Sequence, residues 1–359
     1  MLDRASSGPA TARSRGRARD VTPLVIVTRR PPTQSSVFDT YWRFAVERQN
    51  VFLRRVRGES PPWTIDPVIA TYKFTNAYRA SDRVSQYLIR RVIYGGAYGV
   101  RDTIFRILLF KLFNKIETWR LLEETQGELL ADRFDVTSFD RILDRALRGG
   151  AAIYSAAYIM PSGPAEIRQP RKHLMHLQLL ARLLRDRLPE RLVAAKTMGE
   201  AYELLRALPG IGPFLAYQFV TDLNYSGHLD FSEGEFVMPG PGARDGLRKC
   251  FAHLGDYSES DTIRWVADRQ ADEFAARGLK FATLWGRPLQ LIDCQNLFCE
   301  VDKYARVAHP EVVGLSGRSR IKQKFSANAQ PLSPWFPPKW NLNEHIALPH
   351  QPITGPSLL

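Results

Sequence analysis

From residue 35 onward, apolar residues recur at steps of three and four far more often than they alternate. Ser35 and Ser36 precede a run in which Val37, Phe38, Tyr41, Trp42, Phe44 and Ala45 line one side of a helix, and a serine N-cap fits its start. That helix is expected to reach about Val56, before Gly58, Pro61 and Pro62 break it. A second helical stretch covers 76–94 and stops at Gly95-Gly96; a third covers 103–115. Further helices are expected near 138–148, 171–187, 199–207, 213–224, 243–253, 259–277 and 287–307. Alternation is rare, Leu24–Val27 being the best strand candidate, so the pattern predicts an all-α fold with short loops. No apolar run approaches the roughly 18–20 residues of a membrane span. The longest, Ile104–Phe113, contains Arg106 and Lys111 and reads as a buried helix.

Charge divides the chain. Of the formal +13, residues 1–35 carry +5 (seven Arg, two Asp) and residues 314–359 carry +4 (two Arg, three Lys, one Glu), leaving about +4 on the body. Basic ends gain affinity for a polyanion by releasing its counterions, which favours a nucleic-acid partner over mere solubilisation. The expected organisation is a disordered basic arm (1–35), a helical domain (36–313) and a Pro- and aromatic-rich basic tail (314–359). Trp335, Phe336 and Trp340 of that tail are expected to fold back on the body, the alternative being to stack on bases or a partner. Three cysteines, Cys250, Cys294 and Cys299, suit a reducing compartment, and without a secretory signal the cytoplasm is the expectation. His173 and His176 lack a second ligand pair and read as a partly exposed helix face; no metal or cofactor is expected.

The sharpest local signal is Leu208-Pro209-Gly210-Ile211-Gly212-Pro213, between a helical stretch and the apolar run Phe214–Leu223. Gly210, Ile211 and Gly212 form a tight turn whose backbone amides, with the positive end of the next helix, can hold a DNA phosphate. The segment, within about 201–224, resembles the helix-hairpin-helix of DNA repair glycosylases, whose hairpin commonly reads L-P-G-[IV]-G. In those enzymes a catalytic Asp follows by about 20–25 residues, and here Asp230 stands near that spacing. The later position, before the next helix, is filled by Val237-Met238-Pro239-Gly240 instead, and Phe214 stands where bifunctional members carry a Lys. The four-cysteine cluster of some members is absent, so no iron–sulfur centre is expected.

Two polar constellations remain. In Phe74–Leu88, a helical reading puts Arg79, Asp82, Arg83 and Gln86 on one face, suited to phosphate binding, with Asn76 and Tyr78 just before them. In Leu291–Tyr304, Asp293, Asn296, Glu300 and Lys303 share a face of an otherwise apolar helix, beside Gln295 and Tyr304. Such a stripe is costly to bury unless paired or used, so it is either an ion-pair network or a site, facing a central pocket together with Arg79, Asp82 and Arg83, whose segment offers complementary charge.

The stretches F-T-N-A-Y-R-A-S-D-R, L-P-G-I-G, P-G-P-G-A-R-D-G and C-E-V-D-K-Y resemble the alpha-glutamyl/putrescinyl thymine pyrophosphorylases and the helical domain of 5-hydroxymethyldeoxyuridine DNA kinases, over roughly residues 37–310. The resemblance implies a helix-hairpin-helix glycosylase-like fold acting on a flipped, modified thymine in double-stranded DNA. It further implies displacement of pyrophosphate from a 5-pyrophosphomethyl base by an amine or amino acid. Arg79, Arg83 and Arg244 would hold the leaving phosphates, and Asp293 or Glu300, tuned by Lys303, would take the proton. No G-x-x-x-x-G-K-[ST] loop is present, so phosphorylation would fall to another protein, and the expected partners are a separate nucleotide kinase or a base hydroxylase. Two other readings stay open: a monofunctional glycosylase with Asp230 or Asp293 catalytic, and a non-enzymatic DNA-binding module.

Overall fold

The computed structural model describes residues 28–156, 160–161, 169–327 and 332–346. Ser35 starts the first helix, α1 (Ser36–Val56): its hydroxyl accepts from the Val37 N–H (3.2 Å) and donates to the Lys249 carbonyl. The chain continues through α2 (Pro67–Thr71), α3 (Arg83–Tyr87), α4 (Val100–Phe113), α5 (Ile116–Gln126), α6 (Val136–Arg148), α7 (Lys172–Arg185) and α8 (Leu188–Ala194). It then forms α9 (Met198–Arg206), α10 (Pro213–Leu223), α11 (Pro241–Cys250), α12 (Glu259–Asp268), α13 (Gln270–Ala276) and α14 (Leu291–Ala308). The protein is mainly α-helical; β1 (Thr33–Gln34) and β2 (Phe251–His253) make one short antiparallel pair. The strand candidate Leu24–Val27 lies outside the described residues.

The centre of the core is the packing of α1, α11 and α14. Tyr41 meets Phe298 (4.5 Å between ring centroids), Phe38 meets Phe251 (4.9 Å) and Trp42 meets Phe274 (4.8 Å). Helices α11 and α14 approach closely because α11 turns two glycines toward its neighbour. A Cβ on Gly242 would sit 2.3 Å from the Cys299 sulfur, and one on Gly246 would sit 2.0 Å from the Phe298 carbonyl oxygen. No helix among the described residues is long and apolar enough to cross a membrane.

Three expected elements come out differently. The stretch 76–94 is a 3₁₀ turn (Arg79–Ser81), then α3, then a π-helical turn (Leu88–Ile93). Asp82 stays extended and accepts from the Asn76 N–H (2.8 Å), which stops an early helix. The π turn leaves the Arg91 and Val92 carbonyls to the buried Arg106, whose guanidinium donates to both (3.1 and 2.8 Å) and to Leu129 O (3.1 Å). Its face lies against Tyr98, 4.0 Å from the ring centroid, so this ion is held by carbonyls and aromatic faces. The stretch 259–277 divides at Arg269, and 243–253 ends its helix at Cys250 and passes into β2. His173 and His176 are buried, not part of a half-exposed face: His173 Nε2 lies 3.0 Å from Asp140, and His176 bridges Tyr154 OH (2.7 Å) and Pro161 O (3.0 Å). Burial lowers the His176 pKa to about 4, so the ring is neutral.

Helices α9 and α10 are joined by the turn 207–212. Gly210 takes φ +77°, the left-handed region that favours glycine, and Ile211 is buried beneath it. Gly212 caps α10, and a Cβ there would meet open space, so the protein itself does not demand glycine at this position. Tail aromatics lie on the body: Trp335 against Tyr94 (5.2 Å), Trp340 against Tyr225 (5.7 Å), and Phe336 fully buried.

Candidate functional site

Helix α14 begins with Gln290 as N-cap and Asp293 three positions on. Asp293 Oδ2 accepts from the Gln290 N–H (3.0 Å), closing a capping box, while Oδ1 accepts from the Arg79 N–H (2.8 Å). One turn later, Asn296 Nδ2 donates to Thr75 Oγ1 (3.1 Å); one turn further, Glu300 Oε2 accepts from the Thr75 N–H (3.0 Å) and pairs with Lys303 Nζ (2.6 Å). The polar stripe therefore clamps the segment 74–82 to the core, and the two constellations meet residue against residue. The pairing answers the cost of burial: Asp293, Asn296 and Glu300 are buried, and each bonds to that segment. Gln295 is buried with its Oε1 lacking a partner among the described residues; Tyr304 OH donates to Asp66 Oδ2 (2.7 Å) and Lys303 Nζ to Lys73 O (3.3 Å).

The one-face reading of Arg79, Asp82, Arg83 and Gln86 does not hold, because the backbone there is not one helix. Arg79 turns inward: its guanidinium donates to Gln218 Oε1 (3.0 Å), to Tyr225 OH (3.0 Å) and to Asp222. Asp222 also holds Lys111 Nζ at 2.7 Å, and Lys111 donates to Asn114 Oδ1 (3.1 Å). Burial works against ionising Asp222, but the charges of Arg79 and Lys111 outweigh it and keep its carboxyl below the usual range. Burial pushes the Lys111 ammonium below its ordinary pKa. Arg83, one residue past Asp82, points to solvent 3.9 Å from Glu117. Gln86 donates to Ala80 O (2.8 Å) and accepts from the Trp335 N–H (2.8 Å), and Tyr78 OH donates to Arg287 O (2.7 Å). Arg79 thus links the second hairpin helix, α10, to α14.

Two carboxyl groups here titrate near neutrality. Burial raises Asp82 to about 7, against its bond from Asn76, and raises Asp293 to about 6, against its two backbone donors. Asp82 Oδ2 makes no hydrogen bond among the described residues, whereas both Asp293 oxygens are engaged. Buried Arg48 braces the same segment, donating to Thr75 O (2.9 Å) and Asn76 Oδ1 (3.0 Å). The remaining candidates stand apart. Arg244 is exposed and pairs with Glu259 (3.0 Å), and Asp230 is 89% exposed, 3.4 Å from Lys339 of the tail. Sequence reading missed Arg48, Thr75 and Asp222. Lys111 was visible as a charge inside an apolar run; the signal that could have found Asp222 is an acid on the apolar helix after the hairpin.

A 5-hmdU DNA kinase of Bacillus phage SP10 is 28% identical to this chain over 300 residues, 78% of this chain and 46% of the kinase. The chain thus spans about half the length of that curated relative. No solved structure matches the chain significantly. The sequence profile described as "5-hmdU DNA kinase, helical domain" matches residues 35–314, which takes in the turn 207–212, the Phe74–Leu88 segment and α14. The chain belongs to the 5-hmdU DNA kinase helical-domain family.

Proposed function

We propose that this chain is a transferase acting on a flipped thymine-derived base of double-stranded DNA, where an amine or amino acid displaces pyrophosphate from a 5-pyrophosphomethyl group. The carrying observation is Asp82, whose pKa of about 7 and uncommitted Oδ2 suit a general base at neutral pH. The amine nitrogen bonds to the exocyclic methylene carbon as the carbon–oxygen bond breaks. Pyrophosphate leaves with that electron pair, and the ammonium proton passes to Asp82. Arg83, exposed beside it, supports the leaving phosphates; Arg79 is committed to Asp222 and acts through position. Asp293 and Glu300 hold the segment that carries Asp82. The turn 207–212 would supply a helix-hairpin-helix contact to backbone phosphate: the Gly210 and Gly212 N–H groups make no hydrogen bond among the described residues, the Ile211 N–H being spent on the Leu208 carbonyl (3.1 Å), and α10 begins there. A separate kinase would supply the activated base.

The test is a duplex bearing one 5-pyrophosphomethyl-deoxyuridine, incubated with putrescine or glutamate. Amine-dependent release of pyrophosphate, lost in Asp82→Asn and with the strand stable to hot alkali, is the expected result. Alkali-labile abasic sites would replace this reading with base excision, and neither product would leave a DNA-binding module.

A further inference from the structure

Beside the Asn76–Asp82 cluster lies a cavity of about 440 Å³, within the roughly 300–1,000 Å³ of small-molecule sites. Trp63, Tyr72, Phe74 and Phe325 supply aromatic surface to it, and Arg48 supplies the charge. Arg48 spends Nε and Nη2 on Thr75, Phe74 and Asn76, while Nη1 makes no hydrogen bond among the described residues. One unspent donor of a buried arginine, beside aromatic walls, suits a flat heterocycle carrying a carbonyl oxygen. Two more features adjoin the cavity. Ile65, next in sequence to the lining residue Thr64, is 100% exposed, which has no justification in the protein's own packing. Residues 323–325 run along the cavity edge, held by Lys73 N–H to Gln323 O (3.0 Å) and Phe325 N–H to Thr71 O (2.9 Å). Arg318, Arg320, Lys322 and Lys324 stand at every second position of the segment 318–324 that leads there, all exposed. This segment lies beyond the family-matched residues 35–314.

We infer that this cavity receives the extruded pyrimidine of a DNA duplex. The base stacks on the aromatic walls with a carbonyl accepting from Arg48 Nη1; Ile65 fills the gap left in the base stack; the basic segment 318–324 holds flanking phosphates. An apolar wedge, a cationic track and an aromatic slot in one place match the three demands of base flipping, which a free nucleotide would not make. The inference rests on the DNA-base reading above and adds where the base goes.

The test uses the intact chain, without an amine donor, and a duplex with 2-aminopurine beside a single 5-pyrophosphomethyluracil, read at saturating protein so that weaker affinity cannot mimic loss of flipping. Wild type should raise 2-aminopurine fluorescence at least about fivefold as the neighbour leaves the stack. Ala70→Trp, at an exposed position lining the cavity, and Ile65→Ala, fully exposed, should each remove most of that rise, with unchanged melting temperature showing an intact fold. A wild-type rise that Ala70→Trp leaves intact overturns the cavity while sparing the DNA-base reading. Saturable duplex binding without any rise overturns both.

Discussion

Asp222→Asn probes the strut that joins the hairpin helix to the candidate site. Asp222 lies between Arg79 and Lys111, with the three side chains 1–4% exposed. The substitution keeps the shape and removes the only negative charge of that triad, leaving two buried cations facing a neutral amide. Removing one partner of a buried ion pair costs about 3–5 kcal/mol, because the stranded charge cannot recover its hydration. For a domain of this size each kcal/mol moves the melting temperature by about 2 °C, so a fall of roughly 6–10 °C is expected by calorimetry. Adding Lys111→Met should recover part of the loss, since the wild-type triad and the double variant both carry one net positive charge. In the single variant the deficit should also shrink at alkaline pH, because Lys111 already sits below its ordinary pKa and loses its counter-ion. A loss under about 1 kcal/mol, or no recovery in the double variant, would refute the argument that the triad is held by charge pairing.

Asp82 has a folded pKa raised from 3.8 to about 7, so its contribution to stability is full below the unfolded value and is lost as pH rises through about 7. The melting temperature of Asp82→Asn should therefore gain on wild type between about pH 4 and about pH 7 and hold level above that; a constant difference would contradict the raised pKa. Gly212→Glu has room in the fold but sets a carboxylate where a phosphate would sit, so affinity should fall alike for all DNA sequences in a filter or anisotropy titration. Selective loss for one sequence would reject the hairpin contact. Deleting residues 1–27, five Arg and two Asp, spares β1 and the Ser35 cap and removes a net +3. It should flatten the slope of log affinity against log salt by up to about 2.7, and an unchanged slope would show that the arm does not touch DNA.

Helix positions were legible where apolar period and a cap agreed, as at Ser35 and α1. The sequence pattern failed at 76–94, where residues of good helical spacing are diverted by tertiary bonds: Asp82 accepts a local N–H, and Arg106, distant in sequence, accommodates a π turn. The short helices α2, α5 and α8 were overlooked because a few turns show little period. At the site, the stripe on α14 was readable as a set, and complementary charge pointed to the segment of Arg79 and Asp82 as its neighbour, yet the contacts that join them were not legible and Arg83 stands outside in solvent. Thr75 contributes a backbone N–H and a hydroxyl, and Arg79 meets Asp293 through its main chain, leaving its guanidinium for Asp222. No side-chain pattern announces a main-chain donor. The cavity was invisible for a similar reason: Arg48, Trp63 and Phe325 come from three separate segments.

Affinity of the intact chain for two duplexes, identical except that one carries 5-pyrophosphomethyluracil in place of a single thymine, tests most directly whether the protein reads a modified base in DNA. Fluorescence anisotropy at fixed salt should give tighter binding to the modified duplex by at least about tenfold, the size of one good polar contact at about 1.4 kcal/mol. Equal affinity for the two duplexes, or no binding to either, would contradict the account.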